Sequence, residues 1–353
     1  MTPGVKYVRT IVKAAFFAAV MSLATHQTAS GDEKKPLPPA TTTSTTCGGR
    51  DLLSELALSD RPLFDRLLSE AKATENGSAL LWKIEKQGKP SSHLFGTVHL
   101  TDERVTRLSD KTQLALTAST TVLLEAADVS PATTAAALTA AAKSAMFTDG
   151  KTLDALLTAE EFQLVSKAVD KAGIPGALAR VYRPWIVTML IAASDCERSK
   201  VQSGVNVLDM AISEQAKALG KPVAGLETIE QQLAALSSVP EDQQIGMLRA
   251  NLALADKTDD LMETMVNLYL NRRMGAAWHL QLALAEKAGV GAEAFEGFKQ
   301  RLIIERNQKM RDAALPYLSA GGAFIAVGAL HLPEKTGLVT LLRDAGYTIT
   351  PVE

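Results

Sequence analysis

The sequence predicts an α/β fold: a central mixed, largely parallel sheet with flanking helices and a helical cap insertion. Three observations lead there. Two apolar runs, Leu94–Val98 and Ala323–Val327, each close on Gly-x-x-His, at Gly96–His99 and Gly328–His331. Each is followed by a turn, a helical stretch and another apolar run, the pattern of a strand, a crossover helix and a parallel strand. Between them, residues from about 131 to 319 read as mostly helical. With 23 Gly and 5 His in 353 residues, chance supplies roughly 0.3 Gly-x-x-His matches per chain, so two in one setting carry information.

In chain order, residues 1–30 read as a signal peptide. Lys6, Arg9 and Lys13 precede an apolar run from Ala14 to Ala24, with cleavage near 24–30. That run is too short for a bilayer, which needs about 20 apolar residues, so no stable membrane span is expected after signal removal. Localisation is then periplasmic or secreted. Residues 31–46, with Pro36, Pro38, Pro39 and a Thr/Ser tract, read as a disordered linker. A single domain is expected over 47–353. Its two cysteines, Cys47 and Cys196, suggest a disulfide in an oxidising compartment, two independent thiols being the alternative.

Residues 52–73 look helical with a break at Pro62, and 80–86 alternate as a strand. Gln87-Gly88-Lys89-Pro90 is a turn, so this strand and the first histidine strand form a hairpin. Thr158 with Glu161 and Thr228 with Gln231 have capping-box form. A helix is expected through 185–196 and another through 208–219, a short strand at 221–227, and helical stretches over 240–269, 276–288 and 292–319. The balance of 37 Lys+Arg against 39 Asp+Glu, with no basic block, argues against nucleic acid or an anionic membrane as partner.

Ligands of an open parallel sheet bind beyond the carboxyl ends of its strands. If both halves share one sheet, His99 and His331 meet at that edge, Gly96 and Gly328 let backbone approach closely, and Glu125 ends the strand after His99. Two imidazoles and a carboxylate would hold a divalent metal with a position left for water. The other reading is two hydrogen-bonded strand-end histidines and a solvated acid. Arg306 falls in a helical stripe of Phe295, Phe298, Leu302, Met310, Ala313 and Tyr317, and there needs an anionic partner or a path to water. Glu227 at another strand end either joins the site or supports the next helix. Asn307 and Arg183-Pro184-Trp185 are weaker supporting candidates. His93 and His279 lack matching surroundings, His26 leaves with or near the signal, and Asp102 and Asp110 read as turn and helix-start residues. P-loop, Gly-x-Ser-x-Gly, His-Glu-x-x-His and dinucleotide motifs are missing from the sequence.

Taken together, Leu81-Trp82, Leu94–His99, Leu124-Glu125, Pro184-Trp185, Gly220–Val223, Leu226–Thr228 with Gln231, Glu305–Asn307 and Gly328–Leu332 resemble the TraB/GumN family, in the family's order. The resemblance implies an erythromycin-esterase/ChaN-like fold and a metal-dependent hydrolase site built on His99, His331, Glu125 and Arg306. Through the TIKI metalloproteases it implies peptide cleavage with manganese or cobalt, zinc or iron remaining open. The GumN name implies an association with polysaccharide production. Where the family often carries an acid or polar group after the glycine of a mid-chain helix, this chain has Gly204-Val205-Asn206, which leaves open any role for that helix in the site. The expected function is an exported metal-dependent hydrolase acting on a peptide or small molecule. The alternatives are a non-catalytic envelope protein binding metal, haem or polysaccharide, and a structural partner of an envelope assembly. Oligomeric state is not legible.

Overall fold

The computed structural model describes residues 47–353. The expected signal peptide and linker, with His26, lie outside the described residues. Six strands form one sheet: β1 (Leu81–Glu85), β2 (Ser92–Thr97), β3 (Thr121–Leu124), β4 (Val223–Gly225), β5 (Ala323–Gly328) and β6 (Thr348–Pro351), in the order β4-β3-β5-β2-β1-β6. β4, β3, β5 and β2 are mutually parallel, and β1 runs against both β2 and β6. The expected hairpin is present, with Leu81 opposite Phe95 and Trp82 opposite Leu94. The fold is α/β with a mixed, largely parallel sheet.

Each half of the chain crosses over another strand. β2 does not pair with β3, because β5 inserts between them, Phe95 facing Ala326 and Leu123 facing Ile325. β6 likewise passes β2 to pair with β1. This interleaving makes neighbours of segments more than two hundred residues apart.

Strand alternation then builds two buried faces. Phe95, Val122, Leu124, Phe324 and Ala326 pack with helices from 52–73, 208–218 and 258–287, whereas Leu94, Leu123, Ile325 and Val327 pack with helices Glu305–Ala320 and Leu338–Asp344. A separate apolar cluster, including Trp185, Val187 and Leu248, belongs to the helices between about 131 and 253. β4 interrupts that helical insertion, as the sequence predicted.

Several boundaries differ from expectation, each for a local reason. The first break falls at Asp60, which caps the helix Arg61–Ala73 through Leu63 N–H; Pro62 sits in that helix's first turn, where a missing N–H costs nothing. The expected helix through 185–196 is two, Pro184–Ile191 and Asp195–Gln202, because Ser194 caps a new start. The stretch 240–269 divides into Glu241–Ala253 and Thr258–Leu270. A π-helical segment, Lys299–Ile304, precedes Glu305–Ala320 and rotates its inward face. The buried residues of that last helix are therefore Arg306, Asn307, Met310, Ala314 and Leu318; Tyr317, expected in the stripe, is exposed. Both capping boxes form, at Thr158–Glu161 and Thr228–Gln231. Cys47 and Cys196 are joined in a disulfide.

Candidate functional site

Four adjacent parallel strands deliver one residue or more each to the same edge. Glu227 follows β4, Glu125 follows β3, Gly328 ends β5 with His331 in the turn beyond, and His99 lies past β2. The meeting point is Gly328. A methyl group there would stand 3.1 Å from Glu125 Oε1, 3.5 Å from His331 Cδ2 and 4.0 Å from His99 Nε2. Gly328 φ is −51°, ordinary for any residue, so space rather than conformation calls for glycine. Gly96 allows the other close approach, since a Cβ would lie 3.1 Å from Ala329.

Both imidazoles are held by Nδ1. His331 Nδ1 lies 2.6 Å from Asn307 Oδ1, and the Asn307 amide donates to Thr336 O at 2.8 Å. That arrangement fixes Asn307 Oδ1 as acceptor and puts the His331 proton on Nδ1, leaving a lone pair on Nε2. His99 Nδ1 lies 2.7 Å from Asp209 Oδ2, and Asp209 Oδ1 accepts from the Thr97 hydroxyl at 2.6 Å. His99 stands at the apex of a three-residue turn closed by Leu100 N–H to Val98 O at 2.8 Å. Its ring is open to solvent, whereas His331 is buried.

Glu125 is the most constrained group. Its Oε1 accepts from Gly328 N–H at 2.6 Å and lies 3.6 Å from His331 Nε2. Its Oε2 accepts from Arg306 at 2.6 Å and from Gln232 at 3.3 Å. Arg306 does not snorkel: it is buried, donates to both carboxylates, reaching Glu227 at 2.8 Å and 2.9 Å, and gives a further N–H to Leu302 O. Glu227 thus belongs to the constellation.

The electrostatics follow from this packing. Burial pushes His331 down to about 4, so it is neutral at pH 7. Asp209 pulls His99 upward. Burial would raise Glu125, yet positive charge at His331, Arg306 and His99, with the Gly328 N–H, holds it below the usual carboxylate range. At neutral pH, with His331 uncharged, Arg306, His99 and that N–H do the holding. Burial opposes charge on Arg306, and Glu125 and Glu227 more than offset it, raising its pKa.

Other candidates fall elsewhere. Arg183 pairs with Glu241 at 2.9 Å and lies over Phe147, and Trp185 donates to Ser144 O, both in the helical insertion. Asp102 caps a short helix through Arg104 N–H. His93 lies within β2, and His279 contacts Thr74. Sequence reasoning missed Asp209 and Gln232. Each reads locally as an ordinary residue in a helix's first turns.

The model of the TraB/PrgY/gumN family matches residues 80–351, most of the chain and every residue of this constellation. The chain belongs to the TraB/PrgY/gumN family. Among its family relatives, the uncharacterized protein YbaP of Shigella flexneri is 25% identical over 260 residues, covering 74% of this chain and 90% of YbaP. Metalloprotease TIKI2 of Danio rerio is 22% identical over 320 residues, 77% of this chain and 60% of TIKI2. Metalloprotease TIKI1 of Homo sapiens is 22% identical, over 77% of this chain and 61% of TIKI1. The alignments thus span about three fifths of those two metalloproteases. No solved structure matches.

Among the described residues, no three His, Cys, Asp or Glu side chains are placed so that they could together hold a metal ion, and no helix is long and apolar enough to cross a membrane. The residue types are nonetheless those of a divalent-cation site: two imidazoles anchored through Nδ1, and a buried carboxylate that meets both at Gly328. Glu125 and Glu227 against one guanidinium also leave the buried cluster an excess of negative charge when His331 is neutral.

Proposed function

We propose that this protein is an exported metal-dependent hydrolase that cleaves peptide bonds. One observation carries the reading: His99 and His331 are each anchored through Nδ1 and converge with Glu125 on Gly328. Anchoring through Nδ1 is how proteins prepare imidazole as a metal ligand. The name metalloprotease carried by the two TIKI relatives supports the choice of peptide.

His99, His331 and Glu125 would hold the ion, manganese or cobalt by family resemblance, with zinc or iron also compatible with these donors. When bound, such an ion lowers the pKa of a water and polarises a carbonyl. Glu125, kept ionised, can bind the cation or receive a proton from attacking water. Most Arg306 N–H groups are committed to Glu125, Glu227 and Leu302 O, so Arg306 orients the carboxylate. Asn307 and Asp209 hold the two rings by Nδ1. The disulfide and the sequence of residues 1–30 support a periplasmic or secreted location.

Metal analysis tests this, with peptide hydrolysis measured alongside, comparing the purified protein and its His99→Ala/His331→Ala variant. One equivalent of metal and measurable cleavage, both lost in the variant, are expected. Equal metal content and equal hydrolysis would reject the proposal. A binding role without turnover is favoured by one feature, that both oxygens of Glu125 already accept hydrogen bonds. Stoichiometric metal without cleavage of any peptide would select it.

A further inference from the structure

The disulfide sits at the start of helix Asp195–Gln202, joining Cys196 to Cys47 across 149 residues. That helix, DCERSKVQ, has Val201 as its one apolar side chain besides the cysteine, and its other buried residues are Glu197 and Arg198. A helix without an apolar stripe gains little from packing. Its anchors are instead the sulfur bridge and Glu197. Glu197 Oε2 accepts from both the backbone N–H of Thr101 at 3.0 Å and the Thr101 hydroxyl at 2.8 Å, in a buried setting. The other oxygen lies 3.8 Å from Cys47 Sγ.

Thr101 is two residues beyond His99. The turn carrying His99 is therefore gripped on both sides by carboxylates, Asp209 through Thr97 and Glu197 through Thr101. Only the second grip comes from a helix tied down covalently at the adjacent residue. Both cysteines are half-buried, within reach of a small reductant.

We propose that the Cys47–Cys196 bridge is a redox latch on the His99 turn, with Glu197 as the positioning residue through which it acts. This rests on the reading of His99 as a site residue. An external dithiol attacks one sulfur to form a mixed disulfide, and its second thiolate displaces the protein sulfur. The dithiol leaves oxidised, and Cys47 and Cys196 take up two electrons and two protons. The freed helix withdraws Glu197 from Thr101, and the imidazole loses its fixed aim.

The experiment compares ring and backbone nuclear magnetic resonance signals of the full chain, oxidised and after dithiothreitol. Reduction should shift the Thr101 amide and broaden the His99 ring signals while His331 keeps its own. Oxidised Glu197→Ala should already show both changes, and dithiothreitol should add nothing to them. Unchanged Thr101 and His99 signals in oxidised Glu197→Ala would overturn the latch, even if reduction unfolds the wild type. A reduced protein that stays folded with both signals unmoved would overturn it equally, leaving the bridge a plain staple. Visible titration with Co2+ gives the second readout: Cys47→Ser/Cys196→Ser should bind about tenfold more weakly than the oxidised wild type. Equal affinity would count against the latch. Failure of both proteins to bind Co2+ would remove the metal reading, and the ring spectra would still decide the latch.

Discussion

Arg306 is where the buried charge of the site can be weighed. Its guanidinium lies 2.6 Å from Glu125 and 2.8 Å from Glu227, and the three side chains are 10%, 9% and 2% exposed. Arg306→Met keeps most of the apolar stem and removes the charge. Two buried carboxylates are then left without their cation, with Gly328 N–H and Gln232 still bonded to Glu125 alone. Breaking a buried ion pair by removing one partner costs roughly 3–5 kcal/mol. With a urea dependence near 2 kcal/mol/M, the unfolding midpoint should fall by about 1.5–2.5 M.

The pH dependence gives the sharper signature. In the wild type, Glu125 is held below its usual pKa, so its contribution is present above about 4.5 and lost as pH falls further. In Arg306→Met, Glu125 keeps its burial and loses the guanidinium that opposed it, so its pKa rises relative to the wild type and the penalty shrinks on acidification. The difference between the two proteins should thus be largest near pH 8 and decline towards pH 5. Replacing all three charges, as Glu125→Gln/Glu227→Gln/Arg306→Met, should recover most of the loss. Urea unfolding in chelator, followed by circular dichroism across this range, measures each case. A penalty under about 1 kcal/mol that does not vary with pH would refute the argument, because it would mean the carboxylates are solvated.

Three further outcomes follow from single contacts. His331, pushed down to about 4 by burial, takes no proton between pH 6.5 and 4 while the unfolded chain does, so metal-free protein should lose stability across that window, by roughly 3 kcal/mol in full; His331→Gln should flatten that slope in urea unfolding, and an unchanged slope would contradict it. Asp209→Asn should lower the His99 titration midpoint read from its ring protons, because the carboxylate 2.7 Å away is what raises it; a midpoint equal to wild type would dismiss Asp209 as its partner. Gly328→Ala should cost about 1–3 kcal/mol of stability through contact with Glu125 and His331, and metal uptake should fall with it; a fully stable, metal-replete variant would show that the site tolerates the methyl.

What could be read from the sequence and what could not divide by the reach of the interaction. Capping boxes, the hairpin and the Gly-x-x-His strand ends are written within a few residues of themselves, and they are found where expected. That both histidines would end strands was legible for the same reason. That they would meet depended on β5 entering between β2 and β3, a pairing with no local signature. The residues that went unread share this property. Asp209 finds His99 across 110 positions, Gln232 finds Glu125 across 107, and Glu197 finds Thr101 across 96. Each sits in the first turns of a helix, where an acid or amide already has a sufficient local explanation in the helix dipole and capping. Arg306 is the instructive middle case. Its charge within an apolar run demanded a partner, which the sequence could state, while the π turn at Lys299–Ile304 rotated the helix so that the face around it is not the one simple periodicity draws. A buried charge announces that a partner exists; only the topology of the sheet says that the partner is a pair of glutamates at the ends of two neighbouring strands.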